Sequence, residues 1–233
     1  MSLKYLVNVT IFVILSLVNY AQSLDTSFPI LFIEPTTDSC SGARTIDDKF
    51  ERTITWQIAK SIAASLEETV PQWQVIVPKK IGYQNKLHSR VSYVNQLGVN
   101  FFIHLHCCKT ATSQEYVSLY HYCRNPFADA IPLRTTLSFV PFQDIHRRFF
   151  NLTTRSVNFL HHQLHTLKKT NLSAQILIPT PVGLPLKNLC GINAPACMIE
   201  VGLNNSEEWE KYATILSLII KALLESNMLV TIQ

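Results

Sequence analysis

Among the side chains of this 233-residue chain that can bind metal ions or carry protons, Glu51, His106 and Glu200 fall where a strand or helix is read to begin or end, and His104 lies two residues before His106. The two histidines lie in FFIHLH, residues 101–106, an aromatic and β-branched run that follows Gly98 and runs into Cys107-Cys108-Lys109. Such a run reads as a short buried strand. Side chains alternate along a strand, so His104 and His106 share one face while Phe101, Ile103 and Leu105 take the other. Two neighbouring imidazoles at the end of a buried strand are costly to hide unless they are hydrogen-bonded or bind a metal ion. This stretch alone leaves both readings open. Glu200 leaves the apolar run Ala196 to Ile199, where partial desolvation raises a carboxyl pKa toward that of a useful general base. The alternative is an acid that simply emerges into solvent.

These residues need elements to position them. Pro29 to Glu34 reads as a first strand, and from Lys49 the period changes: Ile54, Ile58, Ile62 and Leu66 recur every four residues, giving an amphipathic helix to about Glu68 that Glu51 opens. Gln74 to Val77 reads as a strand, and His88 to Leu97 as a helix that Gly98 ends. Tyr116 to Tyr122 is a further strand, Phe127 to Val140 an irregular insertion, and Gln143 to Lys168 one long helix. Strands at Ala174–Ile178 and Ala196–Glu200 flank a Pro/Gly-rich loop, and Ser206 opens the last helix with Glu207 and Glu208 in its first turn. Strands alternating with helices imply a single α/β domain over 28–233, with a largely parallel twisted sheet and helices on both faces. The site of such a sheet lies at the C-terminal ends of its strands.

Before that domain, Lys4, an apolar run from Leu6 to Val18 and the small residues Ala21 and Ser23 have the layout of a secretory signal peptide over 1–23; an uncleaved anchor is the alternative. Export to a periplasmic or extracellular space suits six cysteines, whose pairing the sequence does not give. A net charge of +4 with no basic stripe excludes a nucleic-acid footprint and is compatible with an anionic wall polymer or membrane surface. His161 and His165 stand at i, i+4 without the glutamate of an H-E-x-x-H motif and read as a solvated helix face. Asn151-Leu-Thr and Asn171-Leu-Ser fit glycosylation sequons.

Four stretches, in order, resemble the zinc-dependent N-acetylmuramoyl-L-alanine amidases. FERTITWQIAKSIAASL is similar to the family's glutamate-led helix, RVSYVN (Arg90 to Asn95) to its Arg-x-x-x-Ala-Asn, FFIHLHCC to its F-I-S-I-H-A-N, and PACMIEVGLNNSEE to its P-A-V-L-V-E-x-G-F-x-S-N. The resemblance implies Glu51 and His106 as zinc ligands and Glu200 as the catalytic acid–base. It also implies peptidoglycan as the substrate and leaves room for an activator protein. Cleavage would then fall at the amide between N-acetylmuramic acid and L-alanine, with Glu200 carrying the proton from water to the leaving amine.

One motif departs. Where the family has Asp-Pro-Gly-His-Gly-Gly, this chain has Glu34-Pro35-Thr36-Thr37-Asp38, so Thr37 stands at the first zinc-ligand histidine. A site of three protein ligands and a water is one short. Asp38, through a register shift, and His104, by turning inward, are the two substitute ligands the sequence offers. The competing reading is a non-catalytic relative that binds cell wall or regulates a partner. Survival of Glu51, His106 and Glu200 together favours the enzyme.

Overall fold

The computed structural model describes residues 28–36, 45–78, 87–110, 112–131, 133, 140–169, 176–226 and 228–229. The leader at 1–23, Thr37, Asp38, Cys40 and Asn171 lie outside the described residues. In chain order the elements are β1 (Ile30–Pro35), β2 (Thr45–Ile46), β3 (Lys49–Phe50), α1 (Glu51–Thr69), β4 (Gln74–Ile76), α2 (Leu87–Gln96), β5 (Phe101–Lys109), β6 (Tyr116–Tyr122), α3 (Pro126–Asp129), α4 (Phe150–Lys169), β7 (Val182–Leu184), β8 (Ala196–Leu203) and α5 (Trp209–Glu225).

Six strands form one sheet in the order β4-β1-β5-β8-β6-β7. The first four run parallel, and β6 joins β8 antiparallel. Alternation along each strand sorts the side chains as the sequence predicts. Phe101, Ile103, Leu105 and Cys107 of β5 enter one core with Ile54, Ile58, Ile62 and Leu66 of α1 and the apolar faces of α4 and α5. Phe102 faces the opposite core with Phe32, Met198, and Val91 and Val94 of α2. Helices therefore cover both faces, and the C-terminal ends of β5 and β8 meet side by side.

Several elements differ from the sequence reading: β5 and β8 run three residues past His106 and Glu200, and β2, β3, α3 and β7 lie where no strand or helix was expected. The long helix is broken: a 3-10 helix, Phe142–Arg148, precedes α4, with Phe149 closing it by donating to the His146 carbonyl at 3.0 Å. The break turns His146 inward, where its ring packs 4.5 Å from that of Tyr122 and its Nε2 lies 3.2 Å from Asp129 Oδ2. Of Ala174–Ile178, the described part pairs through a single parallel bridge, Tyr116 with Leu177. Gly98 ends α2 as expected, at φ 64°, a conformation that other residues adopt only with strain.

Asp129 gives the fold an acid-sensitive point. Burial alone pushes its carboxyl up, but the backbone N–H groups of Asn125 and Arg124, with His146 beside it, hold it below the usual range. A folded pKa below the unfolded one stabilises the native state above the unfolded value of about 3.9, and that stability is lost as pH falls through the folded pKa. Asp129→Asn is therefore expected to cost about 1–3 kcal/mol at pH 7. Urea melts of parent and variant should converge only once the pH has fallen below the lowered folded pKa, where the carboxyl is protonated in both states of the parent. A gap that persists unchanged there would show that the charge is not responsible.

Candidate metal and catalytic site

The β5–β8 register sets the site. It pairs His106 with Glu200 and Cys108 with Gly202, all on the sheet face that also carries Tyr116 and Tyr120 of β6. Glu200 Oε2 lies 3.2 Å from His106 Nδ1, while Oε1 accepts from the Tyr116 hydroxyl at 2.9 Å and from that of Tyr120 at 3.4 Å. The hydrogen bond with His106 is the largest influence on the carboxyl and holds it below the ordinary glutamate value. Burial opposes this, and the two tyrosines add to it. The expected upward shift of Glu200 is thus reversed, because three donors outweigh the apolar run behind it. The tyrosines stay protonated: burial, the first cause, and the neighbouring carboxylate both raise their pKa values.

His106, Cys108 and Glu200 each offer a ligand atom, and these atoms lie within 4.8 Å of one another. Glu51 reaches the same end of β5, carried there by the β2–β3 hairpin, which Lys49 ties to Glu207 at 2.5 Å. One of its oxygens, Oε1, accepts from the Lys109 backbone N–H at 3.2 Å, and Glu51 is not part of the three-residue group.

His104 is not part of it either. It shares the face of His106, as alternation requires, yet it is only 4% exposed and both its ring nitrogens are engaged. Nδ1 lies 3.0 Å from Glu34 Oε2, and Nε2 lies 2.9 Å from Asn188 Nδ2 and 3.2 Å from Thr36 Oγ1. An amide donor on Nε2 and a carboxylate on Nδ1 describe the neutral tautomer with its proton on Nδ1. Its lone pair is already in use, so His104 serves the β1–β5 seam and not a metal ion. Asp38, the other substitute, lies outside the described residues.

The matching Arg90–Asn95 stretch proves to be a clamp. Arg90 donates to Glu34 and, at 2.9 Å, to the Asn188 carbonyl; Asn95 donates to the Gly191 carbonyl at 3.0 Å and accepts from Asn193 N–H at 2.8 Å. It fixes the loop that feeds β8. His161 and His165 are half-buried, with their Nε2 atoms 3.2 Å apart, where the sequence reading has a solvated face.

Tyr116 and Tyr120 were not singled out as site residues by the sequence reading. The available signal was alternation in YVSLYHY, which puts Tyr116, Ser118 and Tyr120 on one face, together with the glycine two residues after Glu200. A Cβ on Gly202 would lie 2.2 Å from a Tyr116 ring carbon. Gly202→Ala is expected to expel the ring, break its bond to Glu200 and cost about 1–3 kcal/mol, read as a lower melting temperature and loss of tyrosine ordering in the near-ultraviolet circular dichroism spectrum.

The family model for N-acetylmuramoyl-L-alanine amidases matches residues 36–218, which contain Glu51, His106 and Glu200 in one alignment. The chain belongs to this amidase family. Solved structures share the fold at low identity. The amidase AmiC2 of Nostoc punctiforme superposes with a TM-score of 0.60 at 13% identity, covering 85% of this chain and 98% of its own. An amidase of Clostridium difficile 630 gives 0.59 at 16%, covering 87% and 98%. The CwlD amidase of Clostridioides difficile, in complex with the GerS lipoprotein, gives 0.56 at 12%, covering 84% and 98%. Among curated proteins, none matches this amidase by sequence.

Proposed function

We propose that this amidase is exported and hydrolyses the amide between N-acetylmuramic acid and L-alanine in peptidoglycan, with zinc as its cofactor. The observation that carries the reading is the facing pair His106 and Glu200, 3.2 Å apart on adjacent strands within the family match. Imidazole nitrogen, carboxylate oxygen and thiol sulfur are donors that zinc accepts, so the residues at this strand end fit the ion. His106 would hold it, with Glu51 as the second ligand that the family resemblance implies. When bound, zinc polarises a carbonyl and makes a water more acidic.

The chain's own groups do the rest. Glu200, kept ionised by its donors, accepts a proton from the attacking water and returns it to the leaving alanine amine. Tyr116 and Tyr120 keep Oε1 in place, which leaves Oε2, the oxygen nearest His106, to exchange the proton. His104, Glu34 and Arg90 hold the strand ends in register. An activator protein is part of the proposal, supported by the complex in which the CwlD amidase is found with a lipoprotein.

The test is to incubate the mature protein with peptidoglycan and count newly exposed alanine amino groups. Chelation is expected to abolish their release and zinc to restore it. Release that survives complete metal removal would end the zinc-dependent reading. No release from zinc-loaded protein, with or without candidate activators, would favour a wall-binding relative. A chain found only in the cytoplasm of its own cell would end the export proposal.

A further inference from the structure

We propose that Cys108 supplies a thiolate ligand to the metal site, in place of the histidine that the chain lacks at Thr37. This rests on the zinc-dependent reading above and specifies its ligand set. Cys108 follows His106 by two residues on β5, so both side chains leave the same sheet face at the same end. Across the strand pair Cys108 faces Gly202, the one position of the β8 ladder there without a side chain. The room this leaves is occupied by the Tyr116 ring, whose hydroxyl lies 3.0 Å from Cys108 Sγ and 2.9 Å from Glu200 Oε1. That hydroxyl ties the thiol to the carboxylate, and the Sγ, a His106 nitrogen and a Glu200 oxygen fall within 4.8 Å of one another.

Zinc binds sulfur, nitrogen and oxygen in one tetrahedral shell, and thiolate is among its preferred ligands. On binding, the S–H bond breaks, a sulfur–zinc bond forms and the proton passes to solvent. Cys108 adds a third protein ligand to the two that the family resemblance implies, His106 and Glu51, of which only His106 shares the group of donor atoms with Cys108, while Glu200 remains the proton carrier. The other described cysteines do not compete. Cys107 and Cys197 are 0% exposed in the opposite core, and Cys123 and Cys190 are on other elements, outside the group of donor atoms.

The experiment titrates the reduced, metal-free full chain with cobalt(II), reading the thiolate-to-cobalt charge-transfer absorption and the bound cobalt by elemental analysis. The parent and Cys190→Ser are expected to bind cobalt and show the band. Cys108→Ser should lose the band and weaken cobalt binding at least about tenfold. Cys108→His should recover affinity without the band, and it also serves as the folded control if the serine variant melts early. A band that survives in Cys108→Ser, or a parent that binds cobalt with no band, removes Cys108 from the ligand set and leaves the zinc reading standing. A parent that binds no cobalt overturns both.

Discussion

Glu200→Gln is expected to lower turnover on peptidoglycan by about two to four orders of magnitude while zinc content and melting temperature stay near those of the parent. Glutamine keeps the size of the side chain and an oxygen for the Tyr116 hydroxyl, which now reaches Oε1 at 2.9 Å. What it loses is the ability to accept a proton and give it back. Glu200 is held in its ionised form by His106 first, with Tyr116 and Tyr120 adding to it against burial. The carboxylate is therefore ionised at neutral pH, the state that the proposed base needs for the first half of the reaction. The loss should appear in kcat, with KM little changed, because the group is not expected to bind the substrate. Hydrolysis undiminished in this variant would remove Glu200 from the mechanism. Turnover lost together with zinc would make it a ligand instead.

Much of this arrangement could be read from the sequence, because strand alternation is a local property. FFIHLH alone assigned Phe101, Ile103 and Leu105 to one core and His104 and His106 to the other face, and the structure has them so. The four-residue spacing of Ile54, Ile58, Ile62 and Leu66 likewise gave α1 and its buried side. The apolar run before Glu200 gave β8, although the strand runs on past Glu200 to Leu203.

What could not be read depends on partners distant in the chain. The carboxyl pKa of Glu200 was expected to rise because the sequence shows its apolar neighbours. The donors that lower it come from β5 and β6, 94 and 84 residues away for His106 and Tyr116. Tyr116 reaches Glu200 only because β6 runs antiparallel to β8, and periodicity carries no strand direction. Alternation alone could not separate His104 from His106 for the same reason: both sit at the same face of one strand. Their roles separate through Glu34 on β1 and Asn188 in the loop before β8, which engage one imidazole and leave the other to the site.

Arg90→Met should be the most destabilising single change outside the hydrophobic cores, by about 3–5 kcal/mol. The Arg90 and Glu34 side chains are only 13% and 11% exposed, so removing the guanidinium leaves a carboxylate with little access to water. His104 Nδ1 remains 3.0 Å from the same oxygen, but neutral imidazole offers one donor and no balancing charge. The Asn188 carbonyl also loses its 2.9 Å donor, loosening the loop that carries the Asn188 amide to His104 Nε2. Arg90→Lys should fall between, since one ammonium cannot span Glu34 and the Asn188 carbonyl as the planar fork does. Urea denaturation reads the loss directly, and the pair Arg90→Met with Glu34→Gln separates its causes. If the cost comes from stranding a charge, neutralising Glu34 recovers a large part of it, giving a coupling of about 1–3 kcal/mol. If the double variant is as unstable as the sum of the two single ones, the guanidinium acts through its packing and its bond to the loop, and the ion pair contributes little.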